Sequence, residues 1–202
     1  MTLEPEYFEA LYRECHDPWR LRDRWYEQRK RMLTVAALPR PTYRLAFEPG
    51  CSTGELSALL APRCQALIAS DLVEDAVHTA RARLAAFAHV KVDRRRLPDD
   101  WPPGRFDLVV ISELGYYLTP VVLQRFFRRA LASLDETGTI VLCHWRPAVS
   151  DYPLDGEAVH GEFRRFAARA RLHRVAGHSE QDFLLDVWSL DPRSVAMAEG
   201  LR

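Results

Sequence analysis

The chain has 202 residues, is 48% hydrophobic, and balances 28 basic residues against 28 acidic ones. That length suits one domain able to bury most of its apolar surface, and zero net charge leaves no electrostatic footprint for a nucleic-acid partner. No apolar run approaches the ~20 residues that span a bilayer, and Cys15, Cys51, Cys64 and Cys143 are too scattered for a zinc site or a CxxC pair, so they read as reduced thiols with no metal.

Acids and aromatics open the chain where a signal peptide would have basic and apolar regions, which predicts a cytoplasmic protein with no membrane partner. Residues 3–16 read as an acidic, aromatic-bearing segment. Asp17-Pro18-Trp19 then starts a predicted helix reaching Leu38, because proline suits a first helical turn. In it Trp25, Met32, Val35 and Ala36 recur at helical spacing, which puts Trp25 in the core. Pro39-Arg40-Pro41 ends the helix. From there strands predicted at 44–47, 66–70, 89–92, 106–112 and 137–143 alternate with helices at 54–62, 73–86 and 119–133. Uniformly apolar runs such as Leu108 to Ile111 fit a sheet covered on both faces. The alternation implies right-handed crossovers and a doubly wound α/β sheet. An irregular loop at 145–156 and a helix at 157–170 follow. Strand candidates 171–178 and 182–190 then come without a helix between them, which predicts an antiparallel pair closing one edge. The whole reads as one domain: a helical lid (1–40), a cofactor-binding half (41–144), and an acceptor flap with the closing strands (145–202).

The most informative stretch is Glu48-Pro49-Gly50-Cys51-Ser52-Thr53-Gly54, between the first strand and the first helix of the alternating part. Glycines there allow a turn in which backbone approaches a ligand closely. The next strand ends in Ser70-Asp71. A glycine turn after one strand and an acid ending the next is a nucleoside-binding layout. The third glycine of GxGxxG is missing and no GK[ST] follows, which weakens an NAD-dependent oxidoreductase and nearly removes a P-loop. Glu48 would repel phosphates and welcome a cation. S-adenosylmethionine is cationic at its reacting end and carries no phosphate, so the charge logic favours it.

These residues resemble class I S-adenosylmethionine-dependent methyltransferases. Glu48 to Gly54 matches the first motif of that family, and Asp71 stands where it places the acid that hydrogen-bonds the ribose hydroxyls. Phe106-Asp107-Leu108-Val109-Val110-Ile111-Ser112-Glu113 matches the strand that ends at the reaction centre. The resemblance implies a Rossmann-like, seven-stranded sheet with an antiparallel last strand. It also implies a cofactor site at Glu48, Gly50, Cys51, Gly54, Asp71, Leu72 and Ser112. Arg94-Arg95-Arg96 replaces the acid usual near the adenine, so backbone at Arg95 and Arg96 is expected to serve there. A narrower likeness, to the NodS-like methyltransferases, lies in Tyr7 to Tyr12 with Asp17-Pro18-Trp19, in Ser112 to Tyr117, and in His144-Trp145-Arg146 with Asp151-Tyr152-Pro153. It implies N-methylation of an amine on a deacetylated aminosugar or oligosaccharide.

Methyl transfer is an in-line displacement, so the protein mainly aligns its reactants. Glu113 and His144 are the candidate bases, each following a central strand. Tyr116 is the aromatic beside the reaction centre. Tyr117, Trp145, Arg146, His160 and Trp19 are candidate acceptor-binding residues. Arg22 and Tyr26, four apart on the predicted lid helix, are candidates for the cofactor's carboxylate. Rival readings are an O-methyltransferase acting on a hydroxyl or carboxylate, and a non-catalytic nucleoside-binding module. The sequence leaves the oligomeric state open.

Overall fold

A computed structural model of the chain describes residues 2–202. Two helices precede the sheet: α1, Pro5–Glu14, and α2, Trp25–Ala36. The alternating part follows as β1 (Ala46–Pro49), α3 (Glu55–Leu60), β2 (Leu67–Asp71), α4 (Glu74–Leu84), β3 (Val90–Arg94), β4 (Phe106–Ser112), α5 (Pro120–Ala132) and β5 (Leu134–Trp145). The last third holds α6 (Gly156–Ala170), β6 (His173–Ser179), β7 (Phe183–Ser189) and a short α7 (Val195–Ala198). Among the described residues, no helix is long and apolar enough to cross a membrane.

The seven strands form one sheet in the order β3-β2-β1-β4-β5-β7-β6. The first five run parallel, and β7 runs antiparallel to both β5 and β6, as the two successive strand patterns predicted. Along β4 every residue but the last is buried, and the side chains alternate between two cores. Val109 and Ile111 pack with Phe126 and Phe127 of α5 and Phe163 of α6. Leu108 and Val110 pack with Leu56 and Leu60 of α3 on the opposite face. A strand apolar at every position is therefore what a doubly covered sheet requires. The strand order reverses between β1 and β4, and such a switch point opens a crevice at the carboxyl ends of the strands.

The N-terminal region departs from the sequence reading. Residues 3–16 include the helix α1, and α2 begins only at Trp25 instead of Asp17. The Asp17 carboxylate accepts the Leu21 and Arg22 N–H groups at 2.8 and 3.0 Å, and Arg20 takes φ 55°, so the chain turns there instead of coiling on. An aspartate bonding backbone two to five residues ahead competes with helix extension. Trp25 is 66% exposed and is not a core residue, because α2 packs through Tyr26, Lys30 and Leu33. Helical spacing alone does not say which of two offset stripes faces inward.

Candidate active site

A cavity of about 620 Å³ lies at the switch point. Its floor is the turn after β1 and the ends of β2 and β4, and its roof is α1, the 17–24 turn and α2. The first described residues are tied down by Leu3 N–H donating to the Tyr117 carbonyl at 3.0 Å.

In the turn after β1, Gly50, Ser52 and Gly54 have φ of 72°, 49° and 81°, so the turn depends on left-handed backbone. A Cβ on Gly50 would meet Leu114 Cδ1 at 3.1 Å, and one on Gly54 would meet Ala80 Cβ at 3.2 Å. Gly50→Ala is therefore expected to cost about 1–2 kcal/mol from the left-handed geometry alone, read as a lower urea midpoint. An unchanged midpoint would show that the turn relaxes freely.

Asp71 spans two segments. One carboxylate oxygen accepts Ser52 N–H at 2.8 Å and the other accepts Val73 N–H at 3.1 Å. Burial raises its pKa, against those backbone bonds. The cap residue of α4 is Val73, so Asp71 does not cap that helix. The Tyr12 hydroxyl from the lid reaches Ser52 Oγ at 2.5 Å. Glu48 is 2% exposed and accepts the Ser57 hydroxyl at 2.5 Å. Burial, and then the Asp71 charge, push its carboxyl up to about 8 against that bond. Cys51, Leu72, Ser112, Arg95 and Arg96 line the cavity. The Arg95 guanidinium is engaged by Asp93 and Asp100, and that of Arg96 by Glu4. Gly54 lies behind the lining as the cap residue of α3.

Arg22 is off the cavity, since the chain turns before α2 begins. Arg24 and Arg31 line it in its place. Arg31 donates to the Leu21 carbonyl at 2.5 Å, while its Nε is buried with no partner in the protein. Burial lowers the Arg31 pKa. An unpartnered guanidinium N–H at a cavity wall suits a carboxylate ligand.

Beyond the end of β4, Glu113 takes φ 53°. One oxygen accepts Lys30 Nζ at 2.8 Å; the other accepts the Tyr116 hydroxyl and Trp145 N–H, the latter at 3.1 Å. Lys30 also reaches Glu27 at 3.0 Å and lies 4.8 Å above the Tyr26 ring centre. Burial lowers the Lys30 ammonium, but Glu113 and Glu27 outweigh it and hold it well above its ordinary value. Burial raises the Glu27 carboxyl, against Lys30. Tyr116 stacks on Tyr152, with centres 5.1 Å apart and planes at 17°, and burial pushes its hydroxyl well above its ordinary pKa. Tyr26, Tyr117, Trp145 and Trp19 also line the cavity.

Besides Arg22 and Gly54, three more predicted site residues lie outside the lining. Arg146 donates to the Glu180 carbonyl and pairs with Glu157 on α6. His144 is 0% exposed and His160 1%, and they bond one another behind the wall. Burial pushes the His144 pKa well below its ordinary value, so a residue read as a base at the pocket mouth is instead neutral and sealed. Strand β5 runs to Trp145, and its alternation turns His144 inward and Trp145 to the cavity. Sequence reading missed Glu27, Lys30, Arg24, Arg31, Tyr12 and Tyr152. The detectable signal for one of them was Lys30, four residues from Tyr26 and three from Leu33, a lysine on a helix's apolar stripe. Among the described residues, no group of three or more His, Cys, Asp or Glu is placed to hold a metal ion.

The family model for nodulation protein S (NodS) matches residues 8–175. Relatives named nodulation protein S include one from Rhizobium tropici, 31% identical over 121 residues, covering 58% of this chain and 51% of that protein. Another, from Bradyrhizobium diazoefficiens, is 31% identical over 141 residues, covering 66% and 67%. The matched segment thus spans about half to two thirds of those relatives. A candidate methyltransferase of known structure from Pseudomonas syringae is 52% identical, with TM-score 0.73 over 82% of this chain and 99% of its own. The N-methyltransferase NodS from Bradyrhizobium japonicum WM9, solved with S-adenosyl-L-homocysteine, superposes with TM-score 0.79 at 24% identity over 92% and 98%, a likeness of fold. With the glycine turn, the switch-point cavity and the antiparallel β7 in place, the chain belongs to the nodulation protein S family and has the class I methyltransferase fold.

Proposed function

We propose that the protein transfers the methyl group of S-adenosylmethionine to an amine nitrogen of a small acceptor, such as a deacetylated aminosugar or oligosaccharide. The observation that carries this reading is the wall holding Glu27 and Glu113 around the single ammonium of Lys30. Two carboxylates and one cation leave a net negative, partly desolvated surface, and such a surface attracts a second ammonium. Tyr26, Trp145 and Tyr116 supply aromatic faces beside it, suited to a sugar ring or a cationic sulfur.

The cofactor supplies an electrophilic methyl group on a sulfonium. Asp71, Gly50 and the Ser52 backbone would hold its nucleoside end, and Arg24 and Arg31 would meet its carboxylate. Glu113 and Tyr116 orient the acceptor amine, whose lone pair must face the methyl group. An acceptor arriving as ammonium gives its proton to the carboxylate pair. Burial raises the Glu27 carboxyl, which suits it to accept that proton. The test is incubation with S-adenosylmethionine and deacetylated chitooligosaccharides, with the product's methyl located by fragmentation mass spectrometry. Methyl on nitrogen is expected; methyl on oxygen, or none on any amine of the set, would overturn the reading.

Glu48 adds a pH signature. Its ordinary pKa is 4.5 and its folded value about 8, so the folded state binds the proton more tightly. Its stabilising contribution is complete below about 4.5 and is lost as pH rises through about 8. The unliganded protein is expected to lose stability across that window, and Glu48→Gln to flatten the loss, by urea midpoints in a pH series. A cationic ligand against Glu48 favours its ionised form, so S-adenosylhomocysteine should bind with proton release. Calorimetry in buffers of different ionisation enthalpy reads that release, and its absence would place the ligand's ammonium elsewhere.

A further inference from the structure

Behind the acceptor wall, four segments of the chain share a continuous, buried line of hydrogen bonds. Gly115 N–H donates to His144 Nε2 at 3.0 Å, His144 Nδ1 meets His160 Nε2 at 3.1 Å, and His160 Nδ1 meets Asp186 Oδ2 at 2.6 Å. The other Asp186 oxygen accepts Arg174 Nε at 2.6 Å. His144, His160 and Asp186 are 0%, 1% and 3% exposed. Burial raises the Asp186 carboxyl, but His160 and Arg174 outweigh it and hold it below its ordinary value.

The two ends dictate the direction of the line. Gly115 contributes a backbone N–H, which only donates, and Asp186 a carboxylate, which only accepts. His144 Nε2 must therefore carry a lone pair, and its proton sits on Nδ1, donating to His160 Nε2. The His160 proton then sits on Nδ1 and goes to Asp186. Each ring is neutral and locked in one tautomer, and every polar atom of the two imidazoles is used. The charges around His144 are Lys30 on α2 and, beyond His160, Asp186 on β7 and Arg174 on β6. The Tyr116 ring meets His144 edge-on at 5.5 Å.

This line has the order of a carboxylate–histidine relay, yet it ends on a backbone N–H instead of a reacting atom. That N–H belongs to the turn Gly115–Tyr117, which is separated from Glu113 by Leu114 alone. The turn is pressed against α6, since a Cβ on Gly115 would meet Val159 Cγ1 at 2.6 Å. Glu113 itself is held in left-handed backbone, which a non-glycine residue keeps only where its surroundings over-determine it.

We propose that His144 is a positioning residue: through the Asp186–His160–His144 line it anchors the Gly115 turn and so holds Glu113 and Tyr116 in place for the acceptor. The proposal rests on the reading of residues 113–117 as acceptor wall, and its test includes arms that need no acceptor.

His144→Phe keeps a ring and removes the acceptor for Gly115 N–H, while His144→Gln returns an acceptor oxygen near the place of Nε2. Hydrogen exchange of the 113–118 peptide is expected to speed up about tenfold or more in His144→Phe and to stay near wild type in His144→Gln. Nitrogen-15 NMR of histidine-labelled protein should show His144 as the Nδ1–H tautomer across neutral pH. With a deacetylated chitooligosaccharide, kcat should fall about 10–100-fold in His144→Phe and recover in His144→Gln. The dissociation constant of S-adenosylhomocysteine should stay within about twofold, whereas general unfolding would weaken cofactor binding as well. An Nε2–H tautomer, unchanged exchange in His144→Phe, or a His144→Gln protein as impaired as His144→Phe would overturn the proposal. A wild-type protein inactive on every amine would sink the amine reading alone, leaving the relay to be judged by tautomer and exchange.

Discussion

Replacing Glu113 with glutamine is expected to lower amine methylation about 100-fold or more while cofactor affinity stays near wild type. Three donors converge on this carboxylate: the Lys30 ammonium, the Tyr116 hydroxyl and the Trp145 N–H. A glutamine keeps one acceptor oxygen and brings an NH₂ that must face one of those donors, so at least one bond is lost and one repulsion appears. The wall also goes from two carboxylates and one ammonium to a neutral pair, which removes the attraction for a cationic acceptor. Steady-state kinetics on a deacetylated chitooligosaccharide, beside calorimetry with S-adenosylhomocysteine, separates the two effects. Normal turnover in Glu113→Gln would remove Glu113 from the acceptor site. Weakened cofactor binding in step with turnover would mean that the variant had lost its fold.

Asp71→Ala is expected to weaken S-adenosylhomocysteine binding by about 1–3 kcal/mol, roughly 10–100-fold. Its carboxylate holds the Ser52 and Val73 N–H groups, so alanine unties the glycine turn from the end of β2 and leaves both donors without a partner. A ligand's ribose hydroxyls would lose the same acceptor. Asp71→Asn, which retains one acceptor oxygen, should fall between the two. Wild-type affinity in Asp71→Ala by calorimetry would take Asp71 out of the cofactor site.

The glycine turn and the acid that ties it down were largely legible in the sequence. Gly50, Gly54 and Asp71 act through backbone geometry and local hydrogen bonds, and residue type at fixed spacing reports both. The alternation of apolar runs with helical patterns, and the two closing strands, likewise predicted the sheet, because each strand's burial on both faces leaves a continuous apolar run. The rest of the cavity lining was legible only in part. Glu113, Tyr116, Tyr117, Trp19 and Trp145 lie at the cavity, whereas Arg146 faces Glu157 and the two histidines face inward. One residue of register along β5 separates a cavity residue from a buried one, and the sequence around His144 does not state that register.

The lid shows the same limit. Glu27 and Lys30 belong to the polar run of α2, yet both are buried, with Lys30 bonded to Glu27 and Glu113. Their burial follows from the start of α2 at Trp25, which Asp17 and Arg20 bring about by turning the preceding chain. The sequence by itself determined the sheet class, the glycine turn and the acid that serves it, since those depend on the periodicity and conformational freedom of neighbouring residues. Only the tertiary structure decided that a lysine from α2 joins two carboxylates at the cavity wall and that His144 is sealed behind it. Both depend on contacts between residues far apart in the chain, set by which face each element turns to its neighbour.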